Sequence, residues 1–129
     1  MRAITGDLTM CKVPDELCRF AYFSDPEFAW RDAEALKVVD WAASSGIAIL
    51  GGEIWLPTTP GPTIPSPYIY TFETVRLAGE NWGDFVIRAN RNAAAYVRDF
   101  EWDEHDFKHE LKMPYFNFTF ERDRQDHRV

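Results

Sequence analysis

Residues 46–55 constrain the fold more than any other stretch: Gly46-Ile47-Ala48-Ile49-Leu50-Gly51-Gly52-Glu53-Ile54-Trp55. Ile47 to Leu50 form an unbroken apolar run beginning after a glycine, which predicts a strand covered on both faces. Gly51-Gly52 interrupts it. Paired glycines within a strand mark a bulge, a bend or the close approach of another backbone. Beyond them the pattern alternates, Glu53 and Trp55 against Ile54 and Leu56. One face of this second half is therefore expected to be wet and to carry Glu53 and Trp55.

The elements around this strand follow from punctuation. Asp15 to Tyr22 reads as a short helix with Leu17, Cys18 and Phe20-Ala21 on its apolar side. Ser24-Asp25-Pro26-Glu27 has the form of a helix start, a capping box combined with Pro at N1. Asp32 is a second candidate cap. The first full helix is thus expected to begin between Pro26 and Ala33 and to run to Ser44. Ala29, Ala33, Leu36, Val39 and Ala43 form its stripe. Arg31, Glu34, Lys37 and Asp40 line the wet side, and Gly46 is the natural residue just past its end.

After the strand, residues 57–67 hold Pro57, Pro60, Gly61, Pro62, Pro65 and Pro67, a composition that neither helix nor central strand tolerates. This segment is expected to be a stiff surface loop. Tyr68 to Val75 alternates as a strand, with 47–56 as its antiparallel partner. Ala78-Gly79-Glu80-Asn81 is a turn, and Asn81, followed three residues on by Asp84, caps a second long helix. Phe85, Ala89, Ala93, Tyr96 or Val97, and Phe100 form its stripe. Tyr115 to Phe120 alternates as a third strand. Residues 121–129 are a polar tail expected to fray.

These elements add up to one domain across residues 1–129, of α+β class. Two long helices pack on one face of a small, mostly antiparallel sheet containing 47–56, 68–75 and 115–120. The length suits one core, and 46% hydrophobic content argues against wholesale disorder. No run of about 18 apolar residues exists to span a membrane. The two cysteines, Cys11 and Cys18, would lie two turns apart on a straight helix, too far for a disulfide, and indicate reduced thiols in a cytoplasm.

A net charge of −7 disfavours nucleic acid and anionic lipid, whose phosphates attract Lys and Arg, and permits a basic protein partner. The aromatic share is high at 16%, so some rings are expected at the surface as anchors. An acidic run, Asp99, Glu101, Asp103, Glu104 and Asp106, surrounds Trp102 past a helix end and offers a second steering patch. A solvated helix end has the same composition.

Catalytic and cofactor signals are sparse. His105-Asp106-Phe107-Lys108-His109 imitates a zinc-protease helix, but the base position holds Asp and a third ligand is lacking nearby; His pairs on charged stretches are most often only solvated. Glu53 and Glu73 could serve as a carboxylate pair if neighbouring strands aimed both into a cleft. There is no phosphate-binding glycine loop or nucleophile elbow, so no cofactor is expected. An enzyme or ligand- or metal-binding protein using Glu53/Glu73 or His105/His109 stays open beside the binding reading.

Several segments together resemble one known family. Phe28-Ala29, Ala35-Leu36 and Gly46 to Ile54 are similar to the helix–strand segment of the bacterial immunity protein 40 family, where an acidic residue tends to follow Gly-Gly, as Glu53 does. Glu80-Asn81-Trp82, Phe85-Val86, Arg88, Ala93, Tyr96-Val97 and Phe100 resemble that family's second helix. The likeness spans roughly residues 28–120, judged by pattern. Tyr70-Thr71-Phe72-Glu73 departs from it, standing where the family tends to have an aromatic, Asp, Asn and Trp cluster, and Ala89 stands where Ser is frequent. The resemblance implies a cytoplasmic, non-catalytic protein that binds and neutralises a cognate toxin domain. Expected contact residues are Glu53, Trp55, Tyr70 and Glu73 on the sheet, and Trp102, Asp103, Glu104 and Asp106 in the acidic run.

Overall fold

The computed structural model describes residues 13–24, 26–57, 62–63, 70–101 and 113–123. In chain order the elements are α1 (Asp15–Cys18), β1 (Tyr22–Ser24), β2 (Glu27–Trp30), α2 (Asp32–Ser44), β3 (Ala48–Pro57), β4 (Pro62–Thr63), β5 (Thr71–Glu73), α3 (Trp82–Asp99) and β6 (Tyr115–Glu121). The fold is α+β. The sheet runs β1-β2-β6-β3-β4, with β5 also pairing β3, and these pairings are antiparallel.

The stretch around Gly51-Gly52 is the centre of the sheet. β6 lies along one edge of β3, with Ile54 opposite Phe116 and Gly52 opposite Phe118. β5 lies along the other edge, pairing Gly52 with Phe72. The ladder to β6 slips between Ile49 and Gly51, the bulge that the paired glycines predict. Neighbouring backbones also come close. A Cβ on Gly51 would overlap the Phe72 carbonyl oxygen, and one on Gly52 the Asn117 carbonyl oxygen.

Ahead of the bulge, the β5-side edge of β3 is completed by a side chain rather than a strand. Buried Asn90 of α3 accepts from the Ile49 N–H at 2.9 Å and donates through Nδ2 to the Ile47 carbonyl at 2.8 Å. Backbone groups buried without partners are costly, and this one amide satisfies a donor and an acceptor.

The main core joins Trp30, Ile49, Ile54, Phe116 and Phe118 of the sheet to Val38, Val39 and Ala42 of α2 and Ala93 and Val97 of α3. A second cluster sets Phe85, Val86 and Ala89 of α3 against Ala48. Asn81 caps α3 as expected, accepting from the Asp84 N–H at 2.8 Å. Gly46 closes α2 at φ 71°. The Ile47 N–H reaches Ala42 O and the Gly46 N–H reaches Ala43 O, a Schellman arrangement.

Three expectations are corrected. Ser24 to Glu27 does not start a helix; Ser24 pairs with Glu27 across the β1–β2 turn. Glu27–Trp30 instead lies between β1 and β6 as a strand, and that pairing outweighs the capping signature. Ala29 is accordingly a fully buried strand residue, and α2 begins at Asp32. The buried stripe of α2 is Ala35, Val38, Val39 and Ala42, with Ala33 and Ala43 exposed. Alanine suits either side of a helix, so the adjacent valines fix the core-facing side. Finally, the short helix stops at Cys18 rather than Tyr22, which opens β1.

Candidate partner-binding face

Directly paired residues of antiparallel strands project to the same side. The register therefore defines the sheet face turned away from Ile54, Phe116 and Phe118. One row holds Ala29, Asn117, Glu53 and Thr71. The next places Gly51 between Thr119 and Glu73. On the other side of Glu53, Trp55 pairs with Tyr115. Glu27, two residues from Ala29 and opposite Ser24, projects to the same side. Three carboxylates, Glu27, Glu53 and Glu73, thus share one face, separated by small or neutral residues. Glu27 and Glu73 are exposed and Glu53 is half-buried.

Two of these acids are held in place. The Trp55 indole Nε1 donates to Glu53 Oε1 at 3.0 Å. Asn117 Nδ2 donates to Glu27 Oε1 at 3.1 Å and to the Phe28 carbonyl at 2.9 Å. Beyond Glu53 the face becomes aromatic. Tyr22 meets Trp55 edge-on at 6.1 Å between ring centroids and Tyr115 at 5.8 Å, and the Arg31 guanidinium lies 5.5 Å from the Tyr115 ring centre. The face thus runs from carboxylates to rings, a layout suited to basic and apolar groups of another protein.

Some sequence-derived site residues lie elsewhere. Trp55 has the expected side but is only 4% exposed, because β1, a strand that periodicity did not reveal, brings Tyr22 against it. Tyr70 is 2% exposed, edge-on to Phe100 within the main core, and is not on this face. Glu53 and Glu73 share a side but are not opposite: Glu53 pairs with Thr71 and Glu73 with Gly51. Such diagonal neighbours stand roughly 7–8 Å apart. Trp102, Asp103, Glu104 and Asp106, with His105 and His109, lie outside the described residues. So do Cys11 and most of the proline-rich segment. Sequence reading missed Glu27, Asn117, Tyr22 and Tyr115. Glu27 and Asn117 both needed the strand register.

A fourth carboxylate is structural. Glu80 receives Arg88 Nε at 2.9 Å, Arg88 Nη2 at 2.7 Å and the Leu77 N–H at 2.9 Å. These bonds, the Arg88 side-chain donors first, hold its pKa down to about 2. Arg88 also donates to the Val75 carbonyl at 2.7 Å, tying the chain that leaves β5 to α3.

Among the described residues, no group of three or more His, Cys, Asp or Glu is placed to hold a metal ion, and no helix is long and apolar enough to cross a membrane. No protein-family model, curated protein or solved structure matches the chain.

Proposed function

We propose that this is an immunity protein, which binds and neutralises a cognate bacterial toxin domain in the cytoplasm without catalysis. The observation that carries the reading is the register, which gathers Glu27, Glu53 and Glu73 on one sheet face. In this reading α2 and α3 are two long helices packed on the opposite face, leaving the carboxylate face for the partner. The likeness to the immunity protein 40 family supports the same function from the sequence side, through Glu53 after Gly51-Gly52 and the segment from Glu80 to Phe100.

The partner is basic. An acidic face speeds its approach and orients it, and removing face charges changes the association rate and salt dependence most. Glu53, fixed by Trp55, needs little ordering on binding, which favours affinity. A catalytic or metal reading through Glu53 and Glu73 would need both in an enclosed cleft, whereas Glu73 is exposed.

The test is co-expression with the toxin domain encoded beside this gene. Rescue of growth with one-to-one co-purification is the expected result. A toxic neighbour that is neither rescued nor bound would overturn the proposal.

A further inference from the structure

β1 is an edge of the sheet and pairs, among the described residues, with β2 alone. An edge strand presents unpaired N–H and C=O groups, which proteins usually protect with shortness, charge, proline or a cover, and the three-residue β1 has the first of these. Phe20 to Ser24 contains neither a charged residue nor a proline. Phe20 is 69% exposed and Phe23 52% exposed. The two sides of β1 differ chemically. Phe23 packs against Phe28, with ring centroids 4.9 Å apart, on the side of the sheet that faces the core. Tyr22 and Ser24 lie on the other side, continuous with the carboxylate face, and Ser24 stands directly opposite exposed Glu27.

We propose that β1 is a docking edge for an extended segment of the toxin domain, which adds a strand to the sheet. This rests on the immunity reading and extends it from a face to a backbone-paired edge. Main-chain hydrogen bonds supply affinity and the alternating side chains supply specificity. The added strand places an apolar residue beside Phe23 and a Lys or Arg beside Ser24. With strands about 4.8 Å apart, Glu27 lies two spacings from such a strand, on the order of 10 Å. A long basic side chain crossing small Ser24 can meet the Glu27 carboxylate over that distance. The occupant is thus a segment that alternates apolar and basic residues, complementary to the acidic protein on one side and to Phe23 on the other.

Amide hydrogen exchange of the full chain, with and without the toxin domain encoded beside its gene, tests this. Those amides of Tyr22, Phe23 and Ser24 that exchange freely in the unbound protein should slow about tenfold or more in the complex. The Phe23→Lys variant should weaken binding about tenfold or more by placing a charge at the edge. If that variant does not fold, the exchange result on the unaltered protein decides alone. A toxin that binds and is neutralised while these amides exchange as before overturns the docking edge and leaves the immunity reading standing. A toxin that does not bind at all overturns both.

Discussion

Replacing Asn90 by alanine should be among the most damaging single changes to this fold. Asn90 is 3% exposed, and its amide serves the Ile49 N–H at 2.9 Å and the Ile47 carbonyl at 2.8 Å. Truncation leaves both backbone groups buried without a partner. Each such loss costs about 1–3 kcal/mol, so the pair should cost about 2–6 kcal/mol. Native domains are stable by only about 5–15 kcal/mol, so this is a large fraction of the total. The melting temperature should drop on the order of 10 °C or more. The control is Asn92→Ala, two residues along the same helix. Asn92 is exposed and donates to Thr74 Oγ1 at 3.2 Å, so its loss should cost less than about 1 kcal/mol. Urea unfolding of both variants gives the comparison. An Asn90→Ala cost below about 1 kcal/mol, or equal to that of Asn92→Ala, would refute the idea that a side chain completes the β3 edge.

Further predictions concern the brace, the glycines and the aromatic core. Glu80 has a folded-state pKa of about 2 against an ordinary 4.5, so its stabilisation is present above pH 4.5 and lost as pH falls through 2. The stability difference between the unaltered protein and Glu80→Gln should shrink over that acid window, measured by denaturant unfolding at each pH. Gly51→Ala and Gly52→Ala drive a Cβ into backbone carbonyl oxygens of β5 and β6 and should each cost about 1–3 kcal/mol or more. Gly83→Ala, whose Cβ would meet only Asn81 Oδ1 at 3.6 Å, should be neutral or stabilising by up to about 1 kcal/mol. Tyr96 has a buried hydroxyl without a hydrogen-bond partner among the described residues, and burial pushes its pKa up to about 12. Because the raised pKa favours the neutral phenol, the native state weakens as pH climbs from about 10 toward 12. Tyr96→Phe should be neutral or stabilising at pH 7 and should remove one late step from an ultraviolet tyrosine titration.

What the sequence reveals about this fold depends on whether local chemistry admits one answer. The strand at 48–57, the bulge at Gly51-Gly52, the cap at Asn81 and the helix end at Gly46 were readable because each needs a residue type that little else explains. Ser24-Asp25-Pro26-Glu27 misled because the same four residues suit a helix start and a hairpin turn; only the pairing of Glu27–Trp30 with β1 and β6 separates them. Missing β1 and β2 also hid part of the candidate face. Alternation placed Glu53 and Glu73 on non-core sides, but their grouping with Glu27 follows from β2 and β6 lying between β1 and β3, a long-range pairing without a local signal. The enclosure of Trp55 by Tyr22 is hidden for the same reason. Asn90 read as one more polar helix residue, since its partners lie 43 and 41 positions away.

The central claim is that the carboxylate face binds a basic toxin domain. Its most direct test is an equilibrium and stopped-flow kinetic binding measurement between the product of the gene beside this one and the Glu27→Gln/Glu53→Gln/Glu73→Gln triple variant, with melting temperature measured in parallel. The account predicts binding weakened about tenfold or more, equivalent to about 1.4 kcal/mol or more, with most of the loss in association rate and little change in melting temperature. Unchanged affinity at low salt in a folded triple variant would contradict it and place the binding surface elsewhere.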